Sequence, residues 1–151
     1  MSLDKVVLAR NGDSLAFEAL VNEFTPSVYR VAAAIAGEQL APDIVQEAFL
    51  SAWREMNALR DPANFPAWLH RIAVNRSRTA VRSRRWVRDV SLDDAENHLT
   101  SADFRRAAED RVLIGRALPR LNFEQRTVVA LHYAVGMTLS QVADVLQVPG
   151  G

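Results

Sequence analysis

Arg71, Asn75, Arg78 and Arg82 stand at i, i+4, i+7 and i+11, a spacing that gathers them into one narrow stripe if the segment is helical. Residues 62–88 contain seven arginines and no acid, so internal salt bridges cannot account for the stripe. Guanidinium groups contact phosphates, and an asparagine amide can read a base edge. Trp68 and Trp86 lie close to the stripe and can stack on an unpaired base. Together these residue types suit the holding of a nucleic-acid strand. Arg84, Arg85 and Arg88 continue the charge. Trp68 has a second reading, because a tryptophan beside Leu69 and Ile72 also suits a core. Arg76 falls near the apolar side of the same helix, and the stripe gives no reason for it.

A second group sits upstream. At about 100° per residue, Ile44, Val45, Ala48, Ala52 and Met56 form one apolar side of a helix over residues 42–58. Asp43, Gln46, Glu47, Leu50 and Arg54 take the other side, with Phe49 and Trp53 at the boundary as half-exposed rings. Two acids and an amide flanked by aromatic anchors can dock a basic partner helix. The same pattern also fits a plain amphipathic surface helix. Catalytic constellations are not found: there is no Cys/His pair, no G-x-S-x-G, no H-E-x-x-H and no P-loop. Asp93 and Asp94 are adjacent acids, but their segment lacks the apolar surroundings that tune carboxylates for catalysis.

The 151 residues carry no net charge, yet the charge is segregated. Residues 1–61 hold nine acids and five bases, residues 62–88 the seven arginines, and residues 89–110 seven acids and two arginines. A basic block between two acidic ones points to a polyanionic partner rather than to a uniformly solvated surface. With no cysteine, disulfides and thiol-based metal sites are excluded. His70, His98 and His132 lie far apart, without a second ligand at metal spacing. No apolar run nears the roughly 20 residues that span a bilayer, and no export signal is seen. The expected location is the cytoplasm.

These residues need helices to position them, and helical period is nearly continuous. Residues 14–36 form a first helix, expected to break near Thr25 and Pro26 and to stop at Gly37. Pro42 opens the helix to about Ala58. A loop over residues 59–65 leads to Pro66 and a helix to about Trp86. Residues 89–102 are acidic with little periodicity and read as a linker. Further helices are expected near 103–118, 122–135 and 139–146. Gly136 separates the last two, and Thr138 with Gln141 forms a capping box. The final helix presents Leu139, Val142, Ala143 and Leu146 inward, then ends in a turn at residues 147–150 that resembles the joint of a helix-turn-helix.

Three stretches together resemble bacterial sigma factors of the extracytoplasmic-function type. Asp43-Ile-Val-Gln-Glu-Ala-Phe-Leu-Ser-Ala-Trp53 is similar to the polymerase-binding segment of sigma region two. Phe65-Pro-Ala-Trp-Leu-His-Arg-Ile-Ala-Val-Asn75 is similar to the segment that follows it. Leu118-Pro-Arg-Leu121, Gln125-Arg126 and residues 136–148 resemble region four. The resemblance spans residues 14–149 in order.

The resemblance implies an all-α fold of two small helical lobes joined by a flexible acidic linker. Region two would occupy residues 1–88, the linker 89–102, and a partial region four 103–151. Asp43, Gln46 and Glu47, with Phe49 and Trp53 at the rim, would contact the β′ clamp helices of core RNA polymerase. The loop at 59–65 and the helix carrying Phe65, Trp68, Arg71, Asn75, Arg78, Arg82 and Arg85 would recognise and hold the melted minus-ten strand of promoter DNA. Region four would bind the β-flap. The helix that would read the minus-thirty-five element is expected to be missing, so that element would be read only if the native protein continues. An anti-sigma factor is a further candidate partner. Neither a cofactor, a metal, an enzymatic activity nor membrane insertion is implied. The competing reading is a sigma-like decoy that binds an anti-sigma factor without recognising promoters. The incomplete helix-turn-helix favours the decoy, and the intact arginine stripe opposes it.

Overall fold

The structure, a computed structural model, describes residues 1–91 and 118–146, the side chains of residues 85–91 and 119 excepted. The expected helix near 103–118 falls largely outside these residues, as does most of the expected linker. Among the described residues the fold is all-helical, as expected.

Helix α2 (Ser14–Ala36) lies at the centre. Asp13 caps it, its Oδ1 accepting the amides of Leu15 and Ala16, each at 3.0 Å. The break expected at Pro26 does not occur. Pro26 lies on the exposed side, where the carbonyl that loses its amide partner can turn to solvent. On either side of it, Thr25 Oγ1 donates to the Val21 carbonyl at 2.6 Å and Ser27 Oγ to that of Phe24 at 3.0 Å. Buried Leu20 and Val28 hold the two halves in line. Gly37 ends the helix at φ 94°, a conformation that a Cβ would strain.

From Val31 to Ala36, α2 is at most 2% exposed on all sides. Ala32, Ala33 and Ala36 pack on Ala41 and Ile44 of helix α3 (Ala41–Glu55). Val31, Ala34 and Ile35 face a different cluster, described below. The N-terminal half of α2 joins a third, in which Leu20 and Val28 meet Ala48, Phe49 and Ala52 of α3 and Leu69, Ile72 and Ala73 of helix α4 (Phe65–Ser91). Helix α4 runs on past the end expected near Trp86, so residues 89–91 of the segment read as linker are helical.

Helix α1 (Leu3–Arg10) was not expected, because the sequence pattern assigned no element before residue 14. At eight residues it is too short to be stable alone. Val6 and Ala9, one turn apart, are buried in the same cluster as Leu20 and Leu59, and that packing sustains it.

Helix α5 (Phe123–Val129) and a π-helical turn (Ala130–Ala134) lead through Gly136, at φ 80°, into helix α6 (Leu139–Leu146). The Thr138 box forms as expected: the Thr138 amide donates to Gln141 Oε1 at 2.9 Å, and the Gln141 amide to Thr138 Oγ1 at 3.1 Å. A second box, Asn122 with Gln125, opens α5. Leu139, expected inward, is 67% exposed. Helix α6 meets α4 through its C-terminal half, so Val142 and Val145 are the buried pair and the first residue stands clear.

His70 is buried in the second turn of α4. Its Nδ1 lies 2.7 Å from the Pro66 carbonyl, which can only accept, so the proton sits on Nδ1. Nε2 lies 3.2 Å from Ser27 Oγ, whose single proton is shared between Nε2 and the Phe24 carbonyl. Burial, with a lesser contribution from the nearby Arg30 charge, lowers the ring's pKa below 6.5; the Pro66 hydrogen bond opposes this. The unfolded chain therefore binds a proton that the folded chain resists. Stability should be full above pH 6.5 and fall as the pH drops from 6.5 toward the lowered value. Denaturant melts between pH 7.5 and 5 should show this loss, and His70→Asn should flatten it while lowering stability at neutral pH.

Candidate functional site

Asp43, Gln46 and Glu47 are all exposed on α3, as the helical period requires. Beside them runs an apolar groove of about 460 Å³ between α2 and α3, lined by Phe17, Val21, Pro42, Val45, Phe49 and Trp53 among others. Phe49, expected at the rim, is 7% exposed and forms the floor, edge-on to Phe17 with ring centroids 6.4 Å apart. Trp53 is the rim residue, 39% exposed and leaning on Phe17 at 4.9 Å. The α2 wall was missed in the sequence. Phe17 and Val21 are one turn apart, but nothing in their spacing says that they border α3 rather than fill the core. Carboxylates beside an open apolar groove suit a partner helix that carries basic and apolar side chains.

On α4, Asn75 and Arg82 are exposed. Arg71 and Arg78 are half-buried, because the C-terminal helices lie across them. Arg71 Nε donates to the Val145 carbonyl at 3.2 Å and its Nη2 to that of Asp144. These are among the last carbonyls of α6, which have no partner within the helix and which the helix dipole makes negative. Arg78 Nη2 pairs with Glu124 Oε1 at 2.9 Å, and its guanidinium lies 5.0 Å from the Phe123 ring centroid. The stripe is continuous in sequence, but the fold divides it into two exposed members and two engaged ones. The side chain of Arg85 lies outside the described residues.

Phe65 is fully buried, its ring 5.3 Å from that of Phe24 and 5.9 Å from Trp68. It cannot present a face to a strand in this conformation; it anchors the start of α4 in the core. Trp68 is half-buried against the same cluster, between its two sequence readings. Arg76 now has a role: its Nε and Nη2 donate to Ser51 Oγ at 3.1 and 2.7 Å, locking α4 to α3 through a buried hydroxyl. The loop before α4 exposes Arg60, Asp61 and Asn64.

Residues 20–87, which hold both the α3 face and most of α4, match the family model Sigma-70 region 2. The chain is 28% identical to the ECF RNA polymerase sigma-E factor of Haemophilus influenzae, over 94% of this chain and 82% of that one. It is also 28% identical to its counterpart in Escherichia coli K12, over 98% and 85%. The family match and both relatives support an extracytoplasmic-function sigma factor. Its fold agrees: a solved structure of CnrH in complex with the cytosolic domain of CnrY superposes with a TM-score of 0.70, covering 97% of this chain and 83% of that one at 26% identity. As a sigma factor it serves transcription initiation as a subunit of RNA polymerase.

In this sigma factor the C-terminal helices share a core with region two. Val31, Ala34 and Ile35 of α2 and Val74 of α4 cluster with Leu118, Ala130, Leu131, Met137, Val142 and Val145. Apolar burial of this kind, not the two arginine contacts, supplies most of the attraction between the lobes. Val145→Asp would place an unpaired carboxylate in that cluster. The lobes should part, raising the radius of gyration in small-angle scattering while the helical circular dichroism of region two persists. An unchanged radius in a folded variant would show that the cluster does not hold the lobes together.

Proposed function

We propose that this sigma factor docks on core RNA polymerase through the exposed face of α3 and its groove, and holds the opened minus-ten strand of promoter DNA along α4. The observation that supports this most is the separation of chemistries on one rigid lobe. Acids and an apolar groove lie on α3, while arginines with no acid between them in sequence lie on α4. Asp43, Gln46 and Glu47 would meet basic groups of the β′ clamp helices, with Trp53 at the edge of an apolar seat floored by Phe49. Arg82 and Arg78 would neutralise phosphates, Asn75 would touch a base edge, and the loop over residues 59–65 would recognise a base turned out of the stack. The C-terminal lobe would bind the β-flap. The protein would act in the cytoplasm; among the described residues, no helix is long and apolar enough to cross a membrane.

The packing of the C-terminal lobe on α4 bears on this directly. Arg71 and Arg78 cannot serve a DNA strand while they hold α6 and Glu124. Strand binding with the full stripe therefore requires the lobes to part, and polymerase, which would take up both lobes, is the partner suited to part them.

Alanine at Asp43, Gln46 and Glu47 together should weaken core-polymerase affinity without altering the helical content. Hot-spot truncations cost about 1–3 kcal/mol each, so a loss of at least tenfold is expected. Wild-type affinity in a folded triple variant would remove α3 from the interface.

Within the holoenzyme, Arg78→Ala and Arg82→Ala should each weaken binding of single-stranded minus-ten DNA of any sequence. Each should also flatten the salt dependence by about 0.7 per lost phosphate contact. Asn75→Ala should instead reduce discrimination between bases and leave the slope nearly unchanged, because an amide releases no counterion. Fluorescence anisotropy across a salt series reads both quantities. If all three variants behave as wild type, the decoy reading takes precedence.

A further inference from the structure

Residues 59–64 connect the two helices that carry the proposed interfaces, and little local structure holds them. Leu59 is anchored by its buried side chain, 3% exposed. Asp61 Oδ1 accepts the Ala63 amide at 3.0 Å, and the Asn64 amide donates to the Asp61 carbonyl at 2.9 Å, closing a short 3₁₀ turn. Between these two anchors the peptides of Leu59 and Arg60 turn consecutive carbonyls toward the same side. One group meets both. Arg10 Nη1, at the end of α1, lies 3.3 Å from the Leu59 carbonyl and 3.2 Å from that of Arg60. Arg10 is half-buried, and the adjacent face of α1, Val6 and Ala9, is buried in the cluster that contains Leu59, Met56 and Phe65.

A base-reading loop has to be rigid before the base arrives, since looseness of a few tenths of an ångström spreads its hydrogen bonds over wrong partners. Here the rigidity comes from 49 and 50 residues away in sequence. The guanidinium sets the tilt of two successive peptides, and these set where Arg60, Asp61 and Asn64 project. Resting on the assignment of residues 59–65 to base recognition, we propose that Arg10 is a positioning residue for promoter reading: it touches no DNA and fixes the loop that does. Helix α1 is then part of the recognition apparatus, although it lies ahead of the stretch that matches the family model.

The test uses full-length chain assembled with core polymerase and a pool of single-stranded DNA randomised over the minus-ten positions. Wild-type holoenzyme should enrich a sharp base preference at one or more positions. Arg10→Met keeps the apolar stem and removes the donors. It should reduce the preference at the loop-read position about tenfold, with polymerase affinity and salt slope at wild-type values. Arg10→Lys, which restores one donor group, should recover part of the preference. If Arg10→Met folds and keeps the full preference, the positioning role is refuted while the assignment of the loop stands. Should wild type itself enrich nothing, the assignment of the loop fails and takes this role with it. If Arg10→Met loses polymerase binding as well, the residue is structural, and the comparison of Arg10→Lys with wild type decides whether any selective effect on base preference exists.

Discussion

Six consecutive residues of α2, Val31 to Ala36, are at most 2% exposed, and the rest of the fold is arranged to cover them. A helix with one apolar stripe needs one neighbour; a helix apolar all round needs neighbours in every direction. Four of the six are alanine, which lets surrounding helices approach closely and leaves Val31 and Ile35 to fill the gaps. Helices α3 and α4 supply two sides. The third is supplied by α5, its π turn and α6. Fully burying a residue such as Val or Ile is worth about 1.5–3 kcal/mol. Leaving that third side open would therefore cost several residues' worth of the stability of a small domain.

The closed packing explains why the arginine stripe is divided. Arg71 and Arg78 belong by spacing to the row proposed to hold the strand, but they also lie where the C-terminal lobe settles. Carbonyls at the end of α6, the Glu124 carboxylate and the Phe123 ring each offer negative charge or electron density, as a phosphate would. On these two arginines the lobe takes the place proposed for the strand. The contacts are partly exposed and individually weak, so they orient the lobe over α4 and are easily exchanged for better ones.

Much of this was legible in the sequence, and the failures have physical causes. The exposed positions of Asp43, Gln46 and Glu47 followed from the period of a single helix, which does not depend on neighbours. The Thr138 and Gln141 cap was legible because it is local. Phe49 and Leu139 depart from the helical period because an aromatic or a leucine at the edge of a stripe goes in or out according to what packs there, and that is decided by distant chain. Pro26 was read as a break, but proline on the solvent side of a well-anchored helix is tolerated. The run from Val31 to Ala36 has no polar side, and such a segment announces burial from all directions, and hence a lobe-to-lobe core. Arg76 and Arg10 had no signal at all, since each serves a partner on another element.

The shared core also bears on the lifetime of the molecule. When the lobes part away from polymerase, Val31, Ala34, Ile35 and Val74 are uncovered on one side, and Leu131, Met137, Val142 and Val145 on the other. Surfaces of that kind are what chaperones and proteases detect, and cellular abundance follows the population that shows them. A chain closed on itself keeps this apolar strip hidden, so its survival away from polymerase is tied to how firmly the lobes close.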